Sequence, residues 1–382
     1  MSLVRSHSRD IAGRHVVALL TDLCGPPGGI QTFNRNLVKA LEEIAASHGW
    51  KVTLLVLNDP TGDGAVETHL DVCRTRYLSY RRSKWRFAAM ALRAGTRRST
   101  VVFGHLNFVS LASVLRLLSP RSEMLLVVHG IDVERPLSPL ERLSVRRIDQ
   151  ILSVSTFTRD RMIARHSVGD ARFAIVPGLP APRYGAGALP RSRSDLGLPP
   201  GRMILSVSRL DSSDRYKNID LVIESMSAVL REVPDAFYVV VGDGTDRARL
   251  MGVAKELGVD DRVHFAGRVS DELLAAFYQA CDVFVLASTR EGFGIVFLEA
   301  MYFAKPCIGV RAGAIHEVID EGKTGLLTEP GDPRALAQAL VTLLTCDTAR
   351  SAMGRAARQR FESEFSFPRF LERLKGVLSS DE

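Results

Sequence analysis

The stretch "VFVLASTREGFGIVFLEAMYFAKPCIGV", from Val283 to Val310, reads as a strand, a glycine turn, a helix and a second strand. Its two ends, Val283–Ala287 and Pro306–Val310, are short apolar runs of the kind that form strands buried on both faces of a parallel sheet. The turn Glu291–Gly294 leads into a helix that we predict from Ile295 to Ala304. A β-α-β unit of this kind indicates a doubly wound α/β fold.

The same alternation of apolar runs and amphipathic segments extends along the whole chain. The predicted strands of the first half are Val16–Asp22, Lys51–Leu57, Thr100–Leu106, Met124–His129, Gln150–Ser155 and Phe173–Val176. Those of the second half are Met203–Arg209, Phe237–Val241, Val263–Ala266, Val283–Ala287, Pro306–Val310 and Gly325–Thr328. We therefore expect two Rossmann-like domains, each with a doubly wound parallel sheet, that face each other across a cleft.

A segment rich in Pro, Gly, Ser and Arg, Gly178–Arg202, interrupts this alternation midway and is typical of an interdomain linker. The predicted organisation is an N-terminal domain over residues 1–180, a linker over 181–201 and a C-terminal domain over 202–362. One more amphipathic helix is predicted in residues 363–382.

Composition excludes several classes of protein. The chain has 382 residues, of which 46% are hydrophobic and 24% charged, as in ordinary globular proteins. The first apolar run, Val16–Leu20, is too short for the core of a signal peptide, so we expect a protein that is not exported. The five cysteines are scattered without a Cys-x-x-Cys pair, which disfavours a disulfide framework or a zinc site. An Asp-x-Asp pair, an obvious clamp for a divalent metal, is missing too.

The net charge of +7 suits partners that carry phosphate. Nine basic residues and no acidic residue lie between Arg74 and Arg98, where Tyr77, Trp85 and other apolar residues interleave. This pattern favours a basic amphipathic segment on an anionic membrane surface. The alternative is a solvated, arginine-rich face that covers the core.

Two loops have the features of phosphate sites. The segment "TDLCGPPGGIQTF" follows the first strand, and Gly28 and Gly29 let a ligand approach the N-terminus of the next helix, where free N–H groups favour an anion. Such a turn can also be structural only. In "LSVSRLDSSDRYKNID", Arg209 and Lys217 follow a strand at the edge where open α/β sheets bind ligands, and two cations there suit a diphosphate. The alternative is that both are solvated or pair with Asp211 and Asp214.

Two glutamates frame the helix of the opening stretch. Glu291 lies in the loop at the ligand edge, and Glu299 lies inside an apolar run, where an unpaired carboxylate is costly to bury. One ligand could contact Glu291, the helix N-terminus at Gly294, and Glu299 through a diol. The alternative is one capping glutamate and one on the helix surface. Gly267 and Arg268 follow another strand at the same edge, where backbone groups could hold a planar base.

The combined motifs resemble the retaining nucleotide-sugar glycosyltransferases of family 4, which have the GT-B fold. The resemblance rests on the Glu-x7-Glu pattern of "EGFGIVFLE", on "SRL" with "RYKNID", on "GDG" and on "GGIQTFNRNLVKAL", in the family's order and over nearly the whole chain. The chain departs from the family at the two prolines of "CGPPGG" and at Asn218, where relatives often have glycine. Neither departure removes a charged group.

The resemblance implies a role for each matching residue. Arg209 and Lys217 would hold the donor's pyrophosphate, Glu299 would bind the ribose, and Glu291 would contact the transferred sugar. His129 would lie beside the reacting sugar, as a positioning group first and a general base second. The remaining implied contacts are sugar and phosphate on the backbone of Phe293, Gly294 and Ile295, diphosphate under Gly28 and Gly29, and the base near Gly267 and Arg268.

The function implied by this family is the transfer of a hexose from a UDP- or GDP-sugar to a glycan or lipid-linked acceptor in cell-envelope or exopolysaccharide biosynthesis. No metal or other cofactor would be required, and nucleic acid is not an expected partner. The first domain would bind the acceptor, the second would bind the donor, and the last helix would cross back to the first. We expect a cytoplasmic protein, peripheral on the inner face of the membrane. The alternatives are an epimerase or phosphorylase of the same fold and a non-catalytic protein that binds nucleotide sugars or nucleic acid.

Overall fold

The computed structural model describes residues 14–24, 28–60, 75–95, 99–180 and 193–379. The chain divides into two compact units. The first contains the chain up to Val154, Thr158–Val176 and the chain from Phe370 onward, and the second contains Ser155–Phe157 and Pro177–Arg369. Most of the predicted linker, residues 181–192, lies outside the described residues.

The first unit is built on a seven-stranded parallel sheet with the order β3-β2-β1-β4-β5-β6-β7. Its strands are β1 His15–Leu20, β2 Lys51–Val56, β3 Thr75–Ser79, β4 Ser99–Phe103, β5 Glu123–Val128, β6 Gln150–Ser153 and β7 Phe173–Ile175. All six predicted strands of the first half are present, and each ends one to three residues earlier than predicted.

Four of the first unit's helices cover one face of this sheet. The helices are α1 Gly29–His48, α2 Lys84–Gly95, α3 Ser110–Leu118, α4 Pro139–Val145 and α5 Thr156–His166. Helices α2 to α5 each contribute buried side chains to a single core cluster with the strands, including Phe87, Leu115, Val145 and Met162. Helix α1 lies outside this cluster and packs its Phe33 ring 5.7 Å from Phe370 in the last helix, Phe367–Ser379.

The arginine-rich stretch 74–98 is not one amphipathic element. Its described part consists of strand β3, a turn in which Arg81 and Arg82 adopt left-handed φ values of 46° and 64°, and helix α2. Sequence reasoning missed β3 because this edge strand pairs with β2 alone and mixes exposed and half-buried residues, so no continuous apolar run marks it. Residues 74 and 96–98 lie outside the described residues, and lipid contact by this stretch stays a prediction.

The second unit contains a six-stranded parallel sheet with the order β10-β9-β8-β11-β12-β13. Its strands are β8 Arg202–Val207, β9 Ala236–Val241, β10 Val263–Gly267, β11 Val283–Leu286, β12 Cys307–Val310 and β13 Gly325–Thr328. All six predicted strands of the second half lie within two residues of their predicted bounds.

The helices that follow are α6 Ile219–Glu232, α7 Arg247–Glu256, α8 Asp271–Ala280, α9 Ile295–Tyr302, α10 Ile315–Val318, α11 Pro333–Thr345, α12 Asp347–Glu364 and α13 Phe367–Ser379. The chain reverses its direction of travel across each sheet, between β1 and β4 in the first and between β8 and β11 in the second. Ligands of doubly wound folds bind outside the strand ends at such a reversal. Two doubly wound parallel sheets, as predicted, are therefore confirmed. Among the described residues, no helix has both the length and the apolar character needed to span a bilayer.

Candidate active site

Three of the predicted charged residues meet where the strand order of the second sheet reverses. Arg209 follows β8 by two residues, Lys217 ends the short 3-10 helix that comes next, and Glu291 lies in the loop after β11. Because β8 and β11 are hydrogen-bonded neighbours, their two loops leave the sheet side by side. The structure thus brings these residues to the edge where ligands bind.

Lys217 and Glu291 form an ion pair across the two loops. Lys217 Nζ lies 2.5 Å from Glu291 Oε1, and the two side chains are 18% and 11% exposed. Two further bonds hold the loops together, since Thr289 N donates to Tyr216 O at 2.9 Å and Asn218 Nδ2 donates to Ala287 O at 2.9 Å. The pair therefore fixes a cation suited to phosphate beside a carboxylate suited to sugar hydroxyls.

Arg209 pairs with one of the two aspartates considered in the alternative reading. Its Nη2 lies 2.9 Å from Asp214 Oδ2, and Asp214 is nearly buried whereas the Arg209 side chain is 64% exposed. Burial and then the charge of Asp214 raise the pKa of the neighbouring Tyr216 hydroxyl. Because most of the guanidinium still faces solvent, a phosphate can reach its free edge without separating Arg209 from Asp214.

Glu299 is buried, as the apolar run around it predicted. The residue is 5% exposed, and its Oε2 accepts a hydrogen bond of 2.8 Å from the hydroxyl of Tyr278, which is fully buried in α8. Glu299 is therefore neither a surface nor a capping glutamate, and Tyr278 sets its orientation. Sequence reasoning missed Tyr278, because nothing in its apolar helix distinguishes it from an ordinary core tyrosine. Ribose binding by Glu299 stays a prediction.

The Gly-Phe-Gly turn sets the start of helix α9. Gly294 has a φ of 92°, in the left-handed region that favours glycine, and a Cβ there would lie 2.8 Å from the Phe297 ring. No side chain caps the N-terminus of α9, where the chain enters the helix at Ile295. Phe293 is buried, with its ring 5.7 Å from Phe365. The turn thus presents backbone rather than side chains, and its contact with sugar and phosphate stays a prediction.

A second glycine, which sequence reasoning missed, supports the backbone of Glu291. Gly313 has a φ of 58°, and a Cβ at this position would lie 2.5 Å from Glu291 O. The next residue, Ala314, donates its N–H to the same oxygen at 3.1 Å. The only signal in the sequence is a small-residue run, "AGA", which begins two residues after the end of β12.

The predicted base-binding residues lie two strands away from β8 at the same sheet edge. Gly267 ends β10 with a φ of 69°, and its carbonyl accepts the N–H of Gly242 at 2.8 Å. Arg268 is exposed. The structure places both residues as expected but shows no contact of theirs with Lys217 or Glu291, so their role stays a prediction.

In the first unit, the two glycines predicted to bind phosphate, Gly28 and Gly29, lie at the start of helix α1. Gly28 is the N-cap of α1 with an extended backbone, and its carbonyl accepts the N–H of Thr32 at 2.9 Å. Gly29 is the first helical residue. Residues 25–27 of the same loop lie outside the described part of the chain.

His129 follows β5 and is tied to its surroundings on two sides. Its Nε2 lies 2.9 Å from Gly104 O, and its backbone N–H donates to Asp132 Oδ1 at 2.9 Å. A carbonyl oxygen only accepts, so Nε2 carries the proton and Nδ1 is the nitrogen that could act as a base. His129 also stacks on His105 at 5.8 Å, and burial lowers the pKa of His105, a residue that sequence reasoning missed.

Asp59, also missed, holds the glycine loop of the first unit. Its carboxylate is 1% exposed and accepts hydrogen bonds from the backbone N–H groups of Leu23 and Cys24, with distances of 3.0 to 3.2 Å. The hydroxyl of Tyr77 donates a further bond of 2.9 Å. The loop after β1 is therefore anchored to the loop after β2 and to the edge strand β3. An aspartate after an apolar strand was the only signal.

The described residues contain no group of three or more His, Cys, Asp or Glu side chains placed to hold a metal ion.

Comparisons with known proteins show the family to which the chain belongs. Residues 191–360 match the family model "Glycosyl transferases group 1", and residues 27–178 match the model "Glycosyltransferase Family 4". A GDP-mannose-dependent alpha-(1-6)-phosphatidylinositol monomannoside mannosyltransferase of Mycobacterium tuberculosis is 30% identical over 71% of this chain and 74% of its own. The enzyme of the same name from Mycolicibacterium smegmatis is 28% identical over 80% of this chain and 92% of its own.

Solved structures support the fold. The crystal structure of Anabaena Alr3699/HepE in complex with UDP-glucose superimposes with a TM-score of 0.75 at 19% identity, over 96% of this chain and 99% of that chain. The sucrose-phosphate synthase of Thermosynechococcus elongatus has a TM-score of 0.74 at 23% identity, over 96% and 98%. The two sheets, their order and these likenesses identify the GT-B fold. With both family models matched in sequence order and a relative at 30% identity, the chain belongs to the group 1, family 4 glycosyltransferases and is a hexosyltransferase.

Proposed function

We propose that the enzyme transfers a hexose from a UDP- or GDP-sugar to a glycan or lipid-linked acceptor, with retention of the anomeric configuration and without a metal ion. The observation that carries this proposal is the meeting of Arg209 and Lys217 with Glu291 at the strand-order reversal of the second sheet. Two cations beside a sugar-binding carboxylate suit a sugar diphosphate.

The relatives that are 28% and 30% identical are named as GDP-mannose-dependent enzymes that act on a phosphatidylinositol mannoside. GDP-mannose is therefore the first donor to test, and a lipid-linked glycan the first class of acceptor. Such an acceptor would place the enzyme in cell-envelope or exopolysaccharide biosynthesis. Family membership favours transfer over the epimerase, the phosphorylase and the non-catalytic binding protein.

The proposed reaction needs no enzymic nucleophile. The acceptor oxygen attacks the anomeric carbon from the face that the diphosphate leaves, and its proton passes to an oxygen of the departing phosphate. Arg209 and Lys217 stabilise the negative charge that develops on the diphosphate, which is electrostatic catalysis. Glu291 orients the sugar hydroxyls, Glu299 binds the ribose diol, and backbone N–H groups at the start of α9 donate hydrogen bonds to phosphate oxygens.

A donor panel tests this proposal. We expect one of the UDP-, GDP-, ADP- or dTDP-sugars to raise the thermal midpoint in the presence of EDTA, since a ligand at 100 times its dissociation constant stabilises by ~2.7 kcal/mol. A shift that appears only with Mg²⁺ would contradict metal independence. Proton NMR of the first product then decides between retention and inversion.

A further inference from the structure

The loop after β9, residues 242–246, contains the "GDG" motif, to which the proposed reaction assigns no role. Because β8 and β9 are hydrogen-bonded neighbours, this loop leaves the sheet beside segment 209–217, which carries Arg209 and Lys217. The two loops are in direct contact. Their contacts account for the two glycines of the motif and for the burial of Asp246 at the end of the loop.

The two glycines of the motif lie against the backbone on either side of Arg209. Gly242 has a φ of 137°, in the region that favours glycine, and a Cβ there would lie 1.7 Å from Ser208 O. A Cβ at Gly244 would lie 2.3 Å from Leu210 C. A larger residue at either position would therefore displace the backbone that carries Arg209.

Backbone hydrogen bonds hold Leu210, the residue after Arg209, from both sides. Its N–H donates to Asp243 O at 3.0 Å, and its carbonyl accepts the N–H of Asp246 at 2.7 Å. Both bonds lie beyond the last paired residues of β8 and β9, so they join the two loops and are not part of the sheet. The loop after β9 thus fixes the backbone beside Arg209.

The side chain of Asp246 extends this hold to the end of the segment. Its carboxylate is buried and accepts a bond of 3.1 Å from Arg215 Nε and bonds of 2.9 and 2.6 Å from Arg249 Nε and Nη2. Arg249 also pairs with Asp220 at 3.0 Å. Arg215 precedes Lys217 by two residues, and Asp220 follows it by three, in the first turn of α6. Asp246 is therefore connected to the chain before and after Lys217.

The charge of Asp246 strengthens these bonds. Hydrogen bonds from Arg249 hold the pKa of the carboxyl below its ordinary value against the opposing effect of burial, and the charges of Arg249 and Arg215 act in the same direction as those bonds. Asp246 is therefore ionised at neutral pH. Hydrogen bonds between a carboxylate and guanidinium groups are stronger and more directional than neutral ones.

We propose that Asp246 is a positioning residue of the transfer reaction, which fixes the two cations of the diphosphate site, Arg209 and Lys217, by holding the segment that carries both. At 4% exposure, Asp246 itself offers almost no surface to a ligand. Misplacement of a catalytic group by about 1 Å can cost about 10²-fold in rate, so a buried residue that sets its position matters to the reaction. The inference rests on the proposed phosphate role of Arg209 and Lys217.

Asp282 provides a matched control with the same chemistry at the opposite edge of the same sheet. It directly precedes β11, and its side chain is 13% exposed. Its Oδ2 lies 2.7 Å from Arg193 Nη2 and accepts the N–H of Met203 at 2.7 Å. Asp246 and Asp282 are thus both largely buried carboxylates with arginine partners, and Asp246 is the one at the ligand edge.

Steady-state kinetics of Asp246→Asn and Asp282→Asn, with the donor found by the panel, test the proposal. We expect both substitutions to lower the thermal midpoint, because each leaves arginines without their carboxylate. Well below these midpoints, Asp246→Asn should lower kcat about 10- to 10²-fold, whereas Asp282→Asn should leave kcat near that of the parent. Equal losses of kcat in the two variants would overturn the proposal, since the loss would then follow stability.

A double-mutant cycle separates positioning from a general loss of structure. If Asp246 acts through Arg209, part of its effect must disappear once Arg209→Ala has removed the cation. The factor by which Asp246→Asn lowers kcat should therefore be about fivefold or more smaller in Arg209→Ala than in the parent. Equal factors in both backgrounds would refute the inference.

The single variants distinguish this inference from the proposed function. A large loss of kcat in Arg209→Ala together with parental kcat in Asp246→Asn would refute the positioning role alone. Near-native turnover of Arg209→Ala would instead refute the phosphate role on which it rests.

Arg249→Met is a second variant for the case that Asp246→Asn does not fold. Arg249 is 33% exposed and lies on α7, outside the segment that carries the two cations, and methionine keeps much of its apolar stem. The substitution breaks the link from Asp246 to Asp220 and should lower kcat about three- to tenfold. Where Asp246→Asn does not fold, parental kcat in Arg249→Met would overturn the proposal.

Discussion

The two sheets share the order of a doubly wound fold, yet the loops at their strand-order reversals are held by different interactions. In the second unit, the loops after β8 and β11 meet through the ion pair of Lys217 with Glu291, and Arg209 pairs with Asp214. In the first unit, the loop after β1 is held by backbone N–H groups that donate to the buried carboxylate of Asp59.

This difference separates an edge whose charged side chains can take up a ligand from an edge whose loop is held by hydrogen bonds to a buried carboxylate. A partly exposed pair such as Arg209–Asp214 contributes about 0–1 kcal/mol, so it restrains the guanidinium little and leaves its solvent-facing edge open to a diphosphate. The carboxylate of Asp59 is buried, so removal of its hydrogen-bond partners leaves a buried group unsatisfied. We infer that a shared topology leaves the chemistry of each edge open, and that the loop residues decide it.

The largest effect should come from the two cations of the second unit, Arg209 and Lys217. Arg209→Ala or Lys217→Ala should lower kcat about 10²–10³-fold, or ~2.7–4 kcal/mol, because each removes a cation from the departing diphosphate. Steady-state kinetics with the donor found by the panel measures this. Arg262→Ala is the matched control, because Arg262 precedes β10 at the opposite edge of the sheet. Near-native turnover of both site variants would refute the phosphate role.

A smaller effect is expected at the buried glutamate. Glu299→Ala should weaken donor binding by ~1.5–3 kcal/mol, because a charged partner of the ribose hydroxyls is lost. Tyr278→Phe removes only the hydroxyl that orients Glu299 and should cost ~0.5–1.5 kcal/mol. Calorimetry with the nucleoside diphosphate compares the two, and equal affinity of Glu299→Ala and the parent would rule out the ribose assignment.

At the edge of the first sheet, where Asp59 holds the loop after β1, the expected effect is on the free energy of unfolding. Asp59→Asn should lower the free energy of unfolding by ~1–3 kcal/mol in urea, because an amide NH₂ replaces an oxygen that accepts from Leu23 and Cys24. Asp261→Asn is the control, at an exposed aspartate.

The reactivity of the Cys24 thiol provides a second measurement on Asp59→Asn. Burial, and then the charge of Asp59, raises the pKa of the Cys24 thiol to about 11. Loss of that charge should lower this pKa, so Cys24 should be alkylated faster at pH 8, as mass spectrometry can follow. An unchanged alkylation rate would mean that Asp59 does not control this loop.

The smallest expected effect is on the pH dependence of stability, through His105. Burial lowers the pKa of His105 below its ordinary 6.5, with the charges of His129 and Arg135 in the same direction and that of Asp132 opposed. The unfolded chain therefore binds this proton more readily, so stability should fall as pH drops below about 6.5. His105→Gln should reduce this fall in thermal midpoints between pH 5 and 8. The same substitution at the exposed His48 is the control, and an equal fall in both variants would contradict the assignment.

The part of the fold that sequence reasoning recovered is the part that apolar runs encode. Of the thirteen strands in the described residues, twelve were predicted, because they are nearly continuous apolar runs and most of them are buried in the sheet. The exception, β3, mixes polar with apolar residues and is exposed or half-buried along most of its length. Here the prediction of one amphipathic segment rested on the arginine-rich composition alone and was wrong, because the stretch contains both β3 and α2.

The sequence by itself determined the two doubly wound sheets, the family and the loops in which the charged groups lie, because these depend on local periodicity and on short motifs. Only the tertiary structure decided which groups meet: Lys217 with Glu291 rather than an aspartate, Tyr278 with Glu299, and the backbone of Leu23 and Cys24 with Asp59. These contacts join residues 21 to 74 positions apart, and the packing of the sheet, which no local pattern encodes, sets their distance.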